Sequence, residues 1–586
     1  MDYVIRGGSI LDGTGRAAYQ ADIGIKDGMI AAIEPTIDAP AAKVIDAAGH
    51  LVTPGFIDVH THFDGQATWD DGLEPSASHG VTTVVMGNCG VGFAPMRLAD
   101  RDVLIDLMEG VEDIPGTALT EGIPAGQWES FAEYLDFLDK RSYALDISAQ
   151  VAHGPLRFYV MGDRGARNED ATAEDIAQMA VLTQEAMEAG AVGLSTSRTV
   201  FHSSISNEPV PGTFASEEEL LALTNAVKAS KRGIVQAILS GSIGTAGGAI
   251  ADESEPRAET RLFAEISKKT GVTVTFTVAE NPDDIEWWRD VLAITKEENG
   301  KGANLRPMVA PRAIMFLQGL TIYHLFMNRP TYKAMAHLPL AERVAKMRAA
   351  DVKATILAEK DDPMADQVQA VMHFFRRGFE FSNMFPMTEP VDYEPHPSES
   401  IAAMIERTGI DGEDLLYDLL LKDEGQAIYM HLAANYFHGD LAATHEMLVD
   451  ENSVIGLSDA GAHVTLICDG SNTTFALSHW STRRSRGPRI PLEELVAKLT
   501  AKNADLYQFA DRGRLLPGLR ADINVIDLDV LAVKPPRIVK DLPAGGSRLV
   551  QDAQGYLATF VAGRMTRFRD EDTGERPGRL VRSVAQ

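Results

Sequence analysis

The chain has 586 residues, of which 45% are apolar and 24% are charged, and this composition is typical of a packed globular protein rather than a disordered or fibrous one. Its net charge of −30 repels phosphate backbones and anionic lipid surfaces, so we expect neither a nucleic-acid partner nor a membrane partner. Two cysteines are too few for a disulfide framework, and without a secretory signal at residues 1–8 or an apolar run of about 18 residues we expect a cytoplasmic protein.

The first 54 residues alternate short β-type runs with turn residues. Tyr3-Val4-Ile5 and the run from Ala21 to Ile25 are separated by Gly-Gly and Asp-Gly pairs, which supply the positive φ angles of tight turns. After Tyr507 the β-type pattern returns, at residues 520–527 and 556–563. We therefore predict one small β-sandwich domain that both termini form, from residues 1–54 and 508–586.

The stretch between these ends predicts an α/β fold. Residues 51–60 are apolar on both faces and end in polar residues, as a buried parallel strand does. Further apolar runs at 81–86, 191–194, 272–276 and 454–457 alternate with helical segments such as 172–189 and 216–230. This alternation favours a (β/α)₈ barrel of the TIM type over residues 55–507, with an open doubly wound sheet as the alternative.

One segment interrupts the alternation. Residues from about 360 to 428 have a mainly helical pattern, for example at 366–376 and 398–408, with no obvious strand between them. A long insertion over a barrel mouth is usually a lid.

Two histidines follow the first predicted barrel strand, in the segment Asp58-Val59-His60-Thr61-His62-Phe63-Asp64. Residues two apart on a strand share a face, so the imidazoles of His60 and His62 project the same way and can bind one metal ion. The alternative, that both are ordinary core or surface histidines, is weaker because they follow Pro54-Gly55-Phe56-Ile57 at a strand end.

Cys89 follows the second predicted strand, among the glycines of Gly87-Asn88-Cys89-Gly90. A thiolate is a good zinc ligand, and the position lies at the same strand-end layer as the histidines. A buried apolar role is the alternative. Cys468 has no such neighbours, and we predict a supporting or core thiol there.

Asp459 follows the last strong β-type run, in Gly456-Leu457-Ser458-Asp459. A carboxylate at this position faces the metal across the barrel, where it can be a metal ligand and accept a proton from water. We therefore predict that Asp459 is both a ligand and the general acid and base. A helix N-cap is the alternative.

Four further residues near strand ends are candidate substrate-binding groups. His153, His431 and His463 could each ligate a metal or polarise a carbonyl, and a structural role is equally open for each. Arg198 could hold a substrate carboxylate through a bidentate pair.

At these residues the chain resembles the amidohydrolase superfamily, and more narrowly its N-acyl-D-amino-acid deacylase (D-aminoacylase) branch. The segments that carry the resemblance run in order along the chain and are residues 54–64, 87–90, 109–115, 193–196 and 516–522. The resemblance implies a zinc-dependent hydrolase that removes an acyl group from a D-amino acid. It also implies that His60, His62, Cys89 and Asp459 surround the metal.

The chain departs from that branch at its fifth and sixth strands, each of which carries a metal-binding histidine in the D-aminoacylases. The corresponding segments here, residues 233–238 and 272–280, contain no histidine. Gln236 or Glu280 could fill part of the gap, although glutamine is a poor zinc ligand. We therefore interpret the chain as a long, divergent branch, and the pattern favours one zinc ion while allowing two.

The predicted reaction is metal-assisted hydrolysis of an amide bond in a small-molecule substrate, with Asp459 moving the proton. Alternatives are a cyclic amidase of the hydantoinase or dihydroorotase type, for which no strand-four lysine is found, a metal-binding barrel that has lost catalysis, and a purely structural barrel. Assembly into a homo-oligomer is compatible with the sequence.

Overall fold

The computed structural model describes residues 1–242, 256–280, 283–362, 381–468 and 470–583. Within them the fold is α/β, with a terminal sheet, a set of central parallel strands and a long insertion. No helix of these residues is both long enough and apolar enough to cross a membrane.

The terminal sheet has nine strands drawn from both ends of the chain. Antiparallel pairing of 51–54 with 523–526 joins the two ends, and isoleucine and valine side chains of these strands fill the sheet's own apolar core. Division of the chain at residues 54 and 508, and the sandwich form, stay predictions. In sheet order the strands are Glu571–Asp572, Arg564–Phe568, Tyr556–Val561, Ile523–Ile526, Leu51–Pro54, Tyr3–Ile10, Tyr19–Lys26 and Met29–Glu34, with Lys43–Asp46 beside Tyr3–Ile10.

The single strand predicted for residues 51–60 is divided at Gly55. Residues 51–54 belong to the terminal sheet, whereas residues 56–58 pair in parallel with 81–86. A Cβ at Gly55 would lie 2.2 Å from the side chain of Thr82, so only glycine allows this close approach. The apolar run is continuous because both halves are buried, and hydropathy alone therefore does not reveal the break.

The central strands are two parallel sheets that follow one another along the chain. The first sheet ends at Ala149 and the second begins at Val151, so Gln150 alone separates them. The last strand returns to the first, because Ala460 forms a parallel bridge with Thr61 and the Asp459 N–H donates to His60 O. The central strands are Phe56–Asp58, Val81–Met86, Asp146–Ala149 with Val151–Ala152, Gly193–Ser197, Ile234–Ile238, Val274–Thr277, Leu305–Val309 and Val454–Ile455.

Helices connect the central strands, and two predicted helices are confirmed. Ala173–Ala189 begins at a Thr172 cap that is reciprocated by Asp175 and ends at Gly190 with a positive φ, and Glu217–Ala229 begins at a Ser216 cap. The other α-helices outside the insertion are Arg101–Glu112, Gly116–Gly122, Phe131–Asp139, His153–Met161, Asp163–Ala166, Pro256–Thr270, Trp287–Gly300, Asn472–Phe475, Leu492–Ala497 and Asn503–Leu506, with π-helical turns at Ala476–Arg483 and Lys498–Lys502.

The insertion is larger than the sequence predicts and contains a sheet. It lies between the last two central strands, at residues 310–453, and its strands Ile314–Gln318, Met384–Pro386 and Tyr429–Ala434 pair in antiparallel fashion. The prediction of a segment without strands at 360–428 is therefore wrong, because these short runs are too brief to show a period. The predicted helix at 366–376 lies outside the described residues. The insertion's α-helices are Pro330–Met335, Leu340–Met347, Ala350–Ala358, Ile401–Thr408, Gly412–Leu420 and Ala442–Val449.

A buried ion-pair cluster joins the terminal sheet to the central strands. Asp146, on the third central strand, lies 2.6 Å from Arg512 and 2.7 Å from Arg520, and it also accepts from the backbone N–H of Arg579. Such a cluster, far from the strand ends that carry the candidate site, has a structural role: removal of one partner would leave a charge buried without compensation.

Candidate metal centre

Four predicted ligands meet where the first, second and last central strands end. His60 and His62 follow the first strand, Cys89 follows the second, and Asp459 follows the last. Because parallel strands of one array present their carboxyl ends at the same edge, residues far apart in the sequence converge there. The structure thus brings together the residues that the sequence motifs single out.

The side-chain donor atoms of this group point at one another. Cys89 Sγ lies 3.3 Å from His60 Nε2 and 3.7 Å from His62 Nε2. Asp459 Oδ1 lies 3.2 Å and 3.7 Å from the same two nitrogens. One donor atom each of His60, His62 and Cys89 lies within 4.8 Å of the others, which is the convergence that a single metal ion requires.

Burial and charge tune these groups in opposite directions. Burial lowers the pKa of His60 to about 4, so its imidazole is neutral and a lone pair is available to a metal. Burial also raises the pKa of the Cys89 thiol. Although burial acts to raise it, the hydrogen bond from His62 and the nearby histidines hold the pKa of Asp459 below its usual range, so Asp459 is a carboxylate at neutral pH.

The backbone at the site is strained in three places. Cys89 has a φ of 56°, Asp459 of 47° and His463 of 51°, all in the left-handed region that residues with a Cβ rarely adopt. The backbone N–H of Cys89 is held by Gln236 Oε1 at 3.1 Å, and Asn88 Nδ2 donates to the carbonyls of Thr61 and Val85. These hydrogen bonds fix the loop that carries the thiol.

Glu112 supports the centre from behind, and the sequence motifs alone do not identify it. Its carboxylate is 1% exposed and lies 3.2 Å from His62 Nδ1 and 3.6 Å from His463 Nε2. Although burial acts to lower it, the Glu112 charge raises the pKa of His62 to about 9. Glu112 belongs to the segment 109–115 that carries the family resemblance, and this was the available signal.

A cavity of about 190 Å³ opens above the four ligands. Its walls are mainly apolar, and among the described residues that line it there is no lysine or arginine. His463 lines the cavity, as does His202, which the sequence analysis did not single out. The apolar lining comprises Val111, Phe201, Ile238, Ala279, Ile314, Phe316, Ala433, Ala434, Leu457, Leu466 and Ile467.

Three predicted substrate-binding residues lie outside this described lining. His153 is buried, with its ring nitrogens 2.9 Å from Thr196 Oγ1 and from Glu219 Oε1. Arg198 forms a bidentate pair with Glu259 and donates to a backbone carbonyl, so its guanidinium is occupied within the protein. His431 is 1% exposed and packs against Phe316.

The two residues considered for the missing histidines have other contacts. Gln236, on the fifth central strand, accepts from the Cys89 backbone rather than pointing an oxygen at a metal. Glu280 lines the cavity, but its carboxylate lies 2.7 Å from His438 Nδ1 and accepts from the Phe437 N–H at 3.3 Å. The fifth and sixth strands therefore support the site without adding to the converging donor group.

Comparison with known proteins gives three findings. The sequence profile described as "Amidohydrolase family" matches residues 43–567. An N-acyl-D-glutamate deacylase of Alcaligenes xylosoxydans xylosoxydans is 26% identical over 595 residues, covering 100% of this chain and 97% of that protein. A D-aminoacylase of the same organism is 39% identical over 195 residues, which are 33% of this chain and 37% of that protein.

Two solved structures share the fold over nearly the whole chain. The crystal structure of N-acyl-D-glutamate deacylase from Bordetella bronchiseptica, complexed with zinc and a phosphonate inhibitor, superposes with a TM-score of 0.63 at 25% identity and covers 99% of both chains. A D-aminoacylase structure has a TM-score of 0.64 at 21% identity, again over 99% of both chains, and shows the fold alone.

Proposed function

Because the chain belongs to the amidohydrolase family, we propose that it hydrolyses the amide bond of an N-acyl-D-amino acid with the help of a zinc ion. The family match confirms the resemblance that the sequence motifs indicate. The observation that carries the proposal is the convergence of His60, His62, Cys89 and Asp459 below one cavity. The amide and the D configuration are supported by the names of the two deacylase relatives.

The donor set fits zinc. Two imidazoles, a thiolate and a carboxylate are the ligand types that zinc prefers, and three of the donors are almost fully buried. His60, His62 and Cys89 would hold the ion, with Asp459 beside them. Zinc supplies Lewis acidity, which polarises a carbonyl and makes water more acidic. The contacts of Gln236 and Glu280 favour one ion rather than two.

Asp459 is the proposed general acid and base. Its carboxylate is ionised at neutral pH and its side chain is 20% exposed, so it can meet a water molecule in the cavity. It accepts the proton of the attacking water and returns it to the leaving nitrogen, so that amide and water become a carboxylic acid and an amine. One residue therefore serves both proton transfers.

The cavity favours a substrate with an uncharged, apolar variable group. Its described lining holds the carboxylates Glu112, Asp113, Glu280 and Asp459 but no cation, so a second carboxylate on the substrate would be buried without a partner. Apolar surface, in contrast, gains about 25 cal/mol per Å² on leaving water. This chain therefore differs in expected specificity from its relative named for D-glutamate.

The arrangement of the central strands supports a closed (β/α)₈ barrel. The bridge between Thr61 and Ala460 joins the first strand end to the last, and Asn503 Nδ2 donates to the carbonyls of both Ile57 and Ile455. In such barrels the catalytic groups lie at the carboxyl ends of the strands. The position of the four ligands fits this architecture.

A substrate panel tests the proposal. Zinc-loaded protein should release free amino acid from N-acetyl-D-leucine and N-acetyl-D-phenylalanine with a higher kcat/KM than from N-acetyl-D-glutamate or the L enantiomers. Hydrolysis of cyclic amides with no activity on the N-acyl panel would overturn the proposal. Metal analysis of the same preparation should give about one zinc per chain.

Asp459→Asn tests the assigned base. The amide keeps the shape of the side chain but cannot accept the proton, so kcat should fall by a factor on the order of 10²–10⁴ with zinc still bound. Asp529→Asn, at an exposed position in the C-terminal β region, is the matched control and should retain full activity. A fully active Asp459→Asn enzyme would refute the assignment.

A further inference from the structure

His202 lies on the loop after the fourth central strand and faces the metal centre. It lines the cavity that holds the four ligands. Its ring is close enough to His463, His62 and Asp459 for their charges to influence it. No role in ligating the metal follows, because the converging donor group consists of His60, His62 and Cys89.

The contact between His202 and Ser197 fixes which ring nitrogen carries the proton. His202 Nδ1 lies 3.0 Å from Ser197 Oγ, and the Ser197 side chain is 1% exposed. Among the described residues this hydroxyl has no other hydrogen-bond acceptor, so its proton is donated to Nδ1. The Nε2 atom therefore carries the N–H of the neutral ring, and burial, which lowers the pKa of His202 to about 3, keeps the ring neutral.

Resting on the proposed function, we infer that His202 is a further catalytic residue, whose Nε2–H donates a hydrogen bond to the carbonyl oxygen of the scissile amide. Negative charge grows on this oxygen when water adds to the carbonyl carbon. A fixed donor in an apolar cavity stabilises that charge more than it stabilises the neutral carbonyl of the bound substrate. The residue touches the reacting group itself and belongs to no ligand set.

The other polar groups of the cavity wall leave this role open. The carboxylates of Glu112, Asp113 and Glu280 can only accept when ionised, and the hydroxyl of Ser242 donates to the Leu239 carbonyl. His463 Nε2 lies beside Glu112, at 3.6 Å. Thr277 lines the cavity with a buried hydroxyl that has no hydrogen-bond partner among the described residues, and it is the competing donor.

Kinetics of two variants separate the donors. His202→Asn should lower kcat/KM for the best N-acyl substrate by a factor on the order of 10²–10³, with most of the loss in kcat, and Thr277→Val should lower it by less than tenfold. Zinc content and thermal midpoint should stay unchanged in both. His337→Asn, at an exposed position in the insertion, is the control for a histidine substitution elsewhere. An active His202→Asn enzyme, or a larger loss in Thr277→Val, would overturn the inference.

The tautomer gives a readout that needs no activity. In protein labelled with ¹⁵N-histidine, the His202 resonances should show a protonated Nε2 and an unprotonated Nδ1 at neutral pH, and Ser197→Ala should shift them towards a mixture. A protonated Nδ1 in the wild type overturns the inference whether or not the enzyme turns over. Wild-type protein that hydrolyses none of the amides overturns the proposed function instead, so the two failures are distinguishable.

Discussion

Glu112→Gln should weaken zinc binding without changing any proposed ligand. The Glu112 carboxylate is 1% exposed and lies 3.2 Å from Nδ1 of His62, whose Nε2 faces Cys89 Sγ. Loss of a carboxylate behind a metal-binding histidine costs 10- to 100-fold in affinity, which is about 1.4–2.7 kcal/mol. Glutamine keeps an oxygen near His62 but not the charge, so about tenfold is expected for Gln and about 100-fold for Ala.

Competition with a chromogenic chelator measures this affinity directly. Glu109→Gln is the matched control, because Glu109 lies one turn earlier on the same helix and is partly exposed. It should bind zinc as the wild type does. The reasoning about Glu112 is refuted if the two variants bind zinc equally well, or if Glu112→Gln loses zinc only because it unfolds at a lower temperature than Glu109→Gln.

Two further predictions concern the thiol ligand and acid stability. Cys89→Ser should lose most of its zinc, because a neutral hydroxyl is a much weaker ligand than a thiolate, and Cys468→Ser should keep it; equal zinc content by elemental analysis would contradict the assignment. Although burial opposes it, hydrogen bonds from His479 and Arg484 lower the pKa of Glu394 to about 2, so this carboxylate stabilises the fold above its ordinary pKa of about 4.5 and progressively less as the pH falls towards 2. The thermal-midpoint difference between wild type and Glu394→Gln should therefore shrink between about pH 6 and pH 3, and a constant difference would contradict the linkage.

The candidate ligands were predictable because local geometry determines where they point. His60 and His62 are two apart at a strand end, and a period of two puts both side chains on one face whatever the rest of the chain does. Cys89 and Asp459 each follow an apolar run by a few residues, so their height along the strands was fixed once the runs were identified as parallel strands. These inferences need no knowledge of long-range packing.

Glu112 and His202 were not singled out because their roles depend on contacts between distant segments. Glu112 ends the helix Arg101–Glu112, and nothing in that helix indicates that its last carboxylate meets a histidine 50 positions earlier. His202 follows a strand by five residues, inside a loop whose course is set by tertiary packing rather than by periodicity. The sheet within the insertion was missed for the same reason, since three short strands pair across more than 100 residues.

Gln236 shows how the fifth strand can serve a metal centre without ligating the metal. The family resemblance implies a histidine on this strand, but Gln236 is fully buried and its Oε1 accepts the N–H of Cys89. Cys89 has a φ of 56°, a conformation that costs about 1–3 kcal/mol for a residue with a Cβ. A buried hydrogen bond returns about 1 kcal/mol of this and leaves the N–H satisfied. The fifth strand thus holds the strained backbone that aims the thiol at His60 and His62, and a histidine here would have to abandon that contact to reach a second metal ion.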